Sequence, residues 1–223
     1  MDVVVNAATS ADGKLSTRER RQVRISGDAD FARVDRLRAA SDAILVGVGT
    51  VLADDPSLVR HDRERRRELH EHGAVREGPP LRVVADSRAR TPLDAEILED
   101  DPPTHVFVSA AAPPDRREAL ADAGATVHVA GEERVDLAVL CETLAGVGTN
   151  QLMVEGGGEL IFSLFEAELV DQLSVFVGPM ILGGRDAPTL ADGEGFTEGF
   201  PELRLEGVEP LDRGVLLRWE VVG

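Results

Sequence analysis

Short apolar runs alternate with helical patterns along most of the chain. Apolar strands are predicted at residues 3–5, at AILV within 42–48, and at 81–85, 104–108, 125–130, 152–155 and 172–177. Continuous apolar strands of this kind belong to a parallel sheet covered on both faces. Between them, residues 26–40 predict a helix, with Phe31, Val34, Leu37 and Arg38 at helical spacing and Ser26 or Asp28 as its cap. Shorter helices are predicted at 51–56, 116–123, 137–144 and 160–165. The last two runs, 203–208 and 215–221, alternate apolar and polar residues, the period of an antiparallel pair with one exposed face. The sum is one α/β domain over residues 1–223, with a mostly parallel central sheet flanked by helices and an antiparallel C-terminal hairpin. The charged stretch 60–78, with Arg65, Arg66 and Arg67 in a row, predicts a solvated loop or short surface helix.

The chemistry centres on residues 152–165, LMVEGGGELIFSLF. An apolar strand ends in Glu155, three glycines follow, and a helix begins near Glu159. Adjacent glycines leave backbone N–H groups unshielded, and the helix turns its positive end to the same spot. Phosphate binds at such places, although a tight strand-to-helix turn without a ligand has the same pattern. Glu155 adds a carboxylate at the carboxyl end of a strand, where open α/β sheets place their ligands.

Composition narrows the partners. A net charge of −17 argues against a nucleic-acid-binding surface. No apolar run reaches the length of a membrane span, and the N-terminus MDVVVNAATS lacks a basic leader, so a cytoplasmic protein is expected. The single cysteine, Cys141, excludes a disulfide framework and a cysteine-cluster metal site, and its apolar surroundings predict a buried thiol. Of the 24 basic residues only Lys14 is a lysine. An acidic, lysine-poor surface fits adaptation to high salt, or a GC-rich codon bias. Against either background, Lys14 stands out.

Other polar clusters also follow predicted strands: Asp12-Gly13-Lys14, Gly49-Thr50 with Asp54, Ser87-Arg88, and Gly183-Gly184-Arg185. In a parallel sheet these ends share one edge and converge on one crevice. Gly47-Val48-Gly49 is half a dinucleotide fingerprint, because Leu52 stands where the third glycine belongs. Ser87-Arg88-Ala89-Arg90 is either an exposed loop or the hydroxyl-plus-guanidinium set that a 2′-phosphate favours.

Taken in order, the segments SADGKL, ISGDAD with RLRAA, DAILVGVGTVLADDPSL, LRVVADSRARTPLDAEIL, LMVEGGGELIFSLF, LVDQLSVFVGPMILGGRDAPTLADGEGF and DRGVLLR run from Ser10 to Arg218. They closely resemble the reductase domain of riboflavin biosynthesis, which has a dihydrofolate-reductase-like fold. That resemblance implies reduction of a ribosylaminopyrimidine 5′-phosphate to the ribitylamino compound with NADPH, with NADH as the other possible donor, by a homodimer without a metal. Because the chain begins at the reductase and lacks the cysteines of a zinc deaminase, it is similar to the stand-alone archaeal and fungal type, which acts before deamination.

The resemblance also implies residue roles. Thr50 and Asp54 lie near the nicotinamide end of the cofactor and Ser87 near the adenosine phosphate. Gly157, Gly158, Glu159, Leu160, Ile161, Phe162 and Ser163 cradle the pyrophosphate. Gln22, Arg38, Leu58, Arg60 and Glu155 meet the substrate, with Arg38 on its phosphate. Gln22 and Arg24 replace the Ser and Trp of bacterial members, and VRHD after Leu58 leaves the register between Arg60 and His61 open. Hydride transfer needs no protein nucleophile, so the acid–base candidates for opening the sugar are Lys14 and Glu155. The other readings are a pterin or dihydrofolate reductase of the same fold, a non-catalytic nucleotide-binding protein, and a salt-tolerant scaffold. An apolar stretch, 169–182, is the expected edge strand for a partner.

Overall fold

The computed structural model describes residues 1–99 and 102–222. Among them nine strands form one sheet: β1 (Asp2–Ser10), β2 (Ala43–Gly47), β3 (Leu81–Ala85), β4 (Thr104–Val108), β5 (Thr126–Val129), β6 (Gln151–Val154), β7 (Gln172–Gly178), β8 (Glu202–Leu211) and β9 (Gly214–Val222). Six α-helices connect them: α1 (Asp28–Ala40), α2 (Val48–Asp54), α3 (Arg63–Glu71), α4 (Pro114–Asp122), α5 (Leu137–Gly146) and α6 (Gly158–Glu166). The sheet order is β5-β4-β3-β2-β6-β1-β7-β9-β8, parallel from β5 to β7 and antiparallel across β9 and β8. This is the predicted architecture.

The apolar strands fill two cores, because alternate side chains point to opposite faces. Leu45, Val83, Phe107 and Val154 pack with Leu140 and Leu144 of α5 and Ile161 and Leu164 of α6. Ile44, Val46, Val84 and Val106 pack with Val51 of α2 and Leu120 of α4. Strand β6 lies between β2 and β1, so its carboxyl end opens at the middle of the sheet.

Several expectations change. Strand β1 extends through Ser10 instead of stopping at Val5, because β7 pairs alongside it as far as Ser10 with Gly178. The stretch 60–78 does hold a short, mostly exposed helix, as expected, but with one buried side chain. This helix is α3, whose Arg66 is 5% exposed and donates to the carbonyls of Gly78, Ala39, Ser41 and Arg76. Cys141 is half-buried against one core and not enclosed in it; burial pushes its thiol up to about 11. Strand β7 is interior, between β1 and β9, so residues 169–182 offer no edge; β8 is the free edge on that side.

Neither Ser26 nor Asp28 caps α1. Its N-cap is Gly27, without a side-chain hydrogen bond of its own. The cap comes from the β8–β9 turn. Asp212 accepts from Ala29 N at 3.1 Å and from Asp30 N at 3.0 Å. A Cβ on Gly27 would lie 2.5 Å from the Asp212 carboxyl carbon, so the glycine makes room for the carboxylate. Below the cap, buried Asp30 holds Arg33 at 2.8 Å, and Arg33 also donates to Asn6 Oδ1 at 2.8 Å and Ser174 Oγ at 3.2 Å. The hairpin tip, α1, β1 and β7 are thus tied together.

Asp212→Ala removes the cap while leaving the strands intact, and its expected loss is about 1 kcal/mol. Gly27→Ala displaces the same carboxylate and is expected to lose a similar amount. Combining the two should add little, because they break one contact. Urea unfolding of both single variants and the double variant measures this; full additivity would refute a shared cap.

Candidate active site

The carboxyl ends of β1, β2, β3 and β6 border a crevice of about 1880 Å³. That exceeds the usual volume of a pocket for one small ligand, which is roughly 300–1,000 Å³, and leaves room for two. Strand β6 delivers Glu155 to it. Glu155 N still bonds Leu45 O at 3.0 Å, and Gly156 O then accepts from Gly47 N at 2.8 Å, so the glycine turn is anchored to β2. Gly156 has φ 131°, which only glycine adopts freely, and the Gly156–Gly157 peptide is cis.

The turn runs into α6. Ile161 N is bonded to Gly157 O at 3.0 Å, so the N–H groups of Gly158, Glu159 and Leu160 precede the first helical bond and point out of the helix end. Thr50 stands beside them. A Cβ on Gly156 or Gly157 would lie 3.7 or 3.5 Å from its Oγ1. Bare glycines, orphan N–H donors and a hydroxyl fit the phosphates of a dinucleotide. Leu160, Ile161 and Phe162 line the same wall, and their side chains are buried, so the backbone is what they offer a ligand. Ser163 and Glu159 complete it. Phe162 meets Phe196 with ring centroids 5.0 Å apart and would overlap any Cβ on Gly193, which closes the 192–196 loop over the helix.

Glu155 is held from behind. Arg38 Nε donates to Oε1 at 2.6 Å and Nη2 to Oε2 at 2.7 Å, and Nη1 donates to Arg60 O at 3.1 Å. The two side chains are 17% and 13% exposed. Burial opposes the Arg38 charge, yet the Glu155 hydrogen bonds and charge, with Asp35, hold its pKa above the usual guanidinium value. The Arg38 fork expected on a substrate phosphate therefore grips Glu155. Each Glu155 oxygen keeps a second lone pair for an outside donor.

The other expected residues divide. Thr50, Asp54, Ser87, Gln22, Arg60 and Gly157 to Ser163 line the crevice. Burial pushes the Asp54 carboxyl up. Arg60 pairs with Asp35 at 2.8 Å. Leu58 is buried at 7% and borders a separate hollow. Lys14 is outside the lining; its Nζ reaches Ala187 O at 3.4 Å, while its neighbours Leu15 and Ser16 line the crevice. The Asp12-Gly13 and Gly183-Gly184 clusters engage each other. Asp12 accepts from Leu182 N at 3.0 Å and Gly183 N at 2.7 Å. The Ser10 hydroxyl, then these N–H groups, hold Asp12 down to about 2.

Of the arginines on the crevice arms, Arg88 and Arg90 were expected beside Ser87, whereas Arg20, Arg21 and Arg134 were not singled out in the sequence. Arg20, Arg21 and Arg24 line the stretch before α1, and Arg88, Arg90 and Arg134 flank Ser87. Ser87 Oγ accepts from Val135 N at 3.0 Å, leaving its O–H to donate. Arg134 comes from the connection after β5, far from Ser87 in sequence, and carried no local signal. No group of three metal-ligating side chains occurs among the described residues, and no helix among them is long and apolar enough to cross a membrane.

Residues 2–217 match the family model of the RibD C-terminal domain. The chain belongs to that family. It is 49% identical over 212 residues to the 2,5-diamino-6-ribosylamino-4(3H)-pyrimidinone 5′-phosphate reductase of Archaeoglobus fulgidus, covering 95% of this chain and 94% of that one. It is 47% identical over 204 residues to the enzyme of the same name from Methanothermobacter thermautotrophicus, covering 92% and 89%. The fold matches a pyrimidine reductase-like protein of Corynebacterium diphtheriae with a TM-score of 0.86 at 20% identity, covering 100% and 92%. The sheet is that of the dihydrofolate-reductase-like reductases.

The Arg38–Glu155 pair supports a specific expectation. Arg38→Met leaves an enclosed carboxylate without its partner and should destabilise the fold by about 3–5 kcal/mol. The double variant Arg38→Met/Glu155→Leu should recover most of that loss. Guanidinium unfolding of the single and double variants is the measurement; a double variant no more stable than Arg38→Met would contradict it.

Proposed function

We infer that this chain reduces 2,5-diamino-6-ribosylamino-4(3H)-pyrimidinone 5′-phosphate to its ribitylamino product with NADPH, in riboflavin biosynthesis. The observation that carries the reading is Glu155, clamped by Arg38 one residue before the Gly156–Gly158 turn, in a crevice with room for two ligands. The archaeal relatives named as this reductase support the substrate.

Opening the ribose breaks the C1′–O4′ bond, moves the amine proton to O4′ and leaves a C1′=N bond. Hydride to C1′ and a proton to nitrogen complete a two-electron reduction. The bound nicotinamide supplies the hydride. The free lone pairs of Glu155 suit it to accept the amine proton and pass it to oxygen, with Arg38 fixing the carboxylate. Lys14, beside the lining residues Leu15 and Ser16, becomes the second proton-transfer group only when its Nζ leaves the Ala187 carbonyl; Thr50 and Asp54 orient the nicotinamide side, and Gln22 and Arg60 the sugar side. The glycine turn and the start of α6, residues 157–163, take the pyrophosphate. Ser87, Arg90 and Arg134 suit a 2′-phosphate, which favours NADPH over NADH.

The proposed homodimer uses β8 and β9. The β-bulge between Leu205 and Gly207 rephases β8, so Leu203, Leu205 and Val208 oppose Val221, Trp219 and Leu217 on one face. Leu203, Leu205 and Val208 are 40%, 55% and 56% exposed, an apolar face suited to a second copy.

The direct test mixes purified protein, the ribosylaminopyrimidine phosphate and NADPH in high salt and follows nicotinamide absorbance. Turnover is expected, and turnover of dihydrofolate alone would favour the other reductase reading. Glu155→Gln should lower kcat by 10²-fold or more, as expected for loss of an acid–base group. Arg90→Ala should raise KM for NADPH by roughly tenfold, the worth of one charge-assisted hydrogen bond, and leave KM for NADH unchanged. Equal effects on the two cofactors would remove Arg90 from the 2′-phosphate. Leu205→Asp/Val208→Asp should run as a monomer in light scattering; an unchanged mass would exclude this face.

A further inference from the structure

A second concavity lies outside the crevice, between α3 and the chain leading into β3. It has a volume of about 450 Å³. Leu58, Val59, Pro79, Pro80 and Pro102 give it apolar walls, and Arg63 and Arg67 stand at it from α3. Leu58 is buried, whereas Val59 remains 39% exposed. Residues 60–76 hold six arginines against four carboxylates in a chain whose acids outnumber its bases 41 to 24.

The electrostatics of the hollow are positive. Buried Arg66 gives its N–H groups to neutral carbonyls, and Asp42 stands 4.0 Å away. Arg67 has only a loose contact with Glu64, at 3.8 Å between exposed groups. His61, on the same wall, has its pKa lowered first by burial, then by the charges of Arg66 and Arg63. His61 and His70 hold their Nδ1 atoms 3.0 and 3.3 Å from the carbonyls of Val59 and Val75, which leaves Nε2 of each free. That arrangement prepares imidazoles for a metal. Three guanidiniums on the same hollow repel a cation, so the charge selects an anion instead.

We propose that this hollow is a second small-molecule site, for a compact aromatic anion. Its flat body lies against Leu58, Val59 and the three prolines, and its sulfonate, phosphate or carboxylate meets Arg63 and Arg67. The volume falls in the range of small-ligand pockets, and guanidinium pairs bind oxyanions through fixed, planar donors. Arg60 faces the crevice from the same segment as Leu58, so the test has to separate the two cavities.

The probe is 8-anilinonaphthalene-1-sulfonate, titrated by fluorescence into the full chain. Its neutral relative N-phenyl-1-naphthylamine is the control for apolar binding alone. Arg63→Glu/Arg67→Glu changes two exposed side chains and should weaken the sulfonate probe by tenfold or more. Arg88→Glu/Arg90→Glu, on the crevice arm, should leave its Kd within twofold of the parent. The neutral probe should bind at least tenfold more weakly than the sulfonate. Unchanged sulfonate binding in Arg63→Glu/Arg67→Glu, a loss confined to the Arg88/Arg90 variant, or equal affinity for both probes would each overturn the proposal.

Discussion

Arg38 and Glu155 lie 117 positions apart, yet their side chains form a two-point contact inside the protein. A carboxylate at the exit of a central strand can be aimed only if something holds it, and here a guanidinium does so from α1. The same Arg38 reaches the carbonyl of Arg60, so one side chain fixes three segments around the crevice. The pair is enclosed enough that removing either member leaves a costly lone charge, which ties the geometry of the site to the integrity of the fold.

That dependence runs back to the hairpin. The cap that Asp212 supplies to α1 and the Arg33 network beneath it set where α1 lies against β1 and β7. Through α1, the β8–β9 turn is connected to Glu155 by a continuous chain of hydrogen-bonded and helical elements. The apolar face proposed for the second copy sits on the same hairpin. A contact there and the alignment of the site therefore share one structural support, without any residue of the hairpin strands entering the crevice.

The glycine turn illustrates a second constraint. A parallel sheet leaves its carboxyl edge open, and a helix starting at that edge presents unbonded N–H groups. Glycine at 158 lets the 189–192 loop close on the helix start, because a Cβ there would lie 2.5 Å from the Thr189 carbonyl oxygen. Elsewhere on the edge the polar residues neutralise each other, as Asp12 does with the 182–183 backbone. Strand ends that look alike in sequence thus separate into open and closed ones according to whether a partner loop folds over them.

The strands, most of the helices, the parallel-plus-hairpin layout and the glycine turn were legible in the amino-acid order. Hydrophobic runs, helical spacing and glycine placement are local properties, and burial reads them directly. Ordered motifs carried the family as well. What only the tertiary structure decided were contacts and placements of distant residues: Arg38 on Glu155, Asp212 in place of Ser26 or Asp28 as the cap, Leu58 and Lys14 outside the crevice lining, and β8 in place of β7 as the edge. Each is a competition among partners of similar chemistry. A guanidinium or carboxylate carries the same label in sequence whichever partner it takes, and the outcome depends on distance and burial, which exist only once the chain has folded.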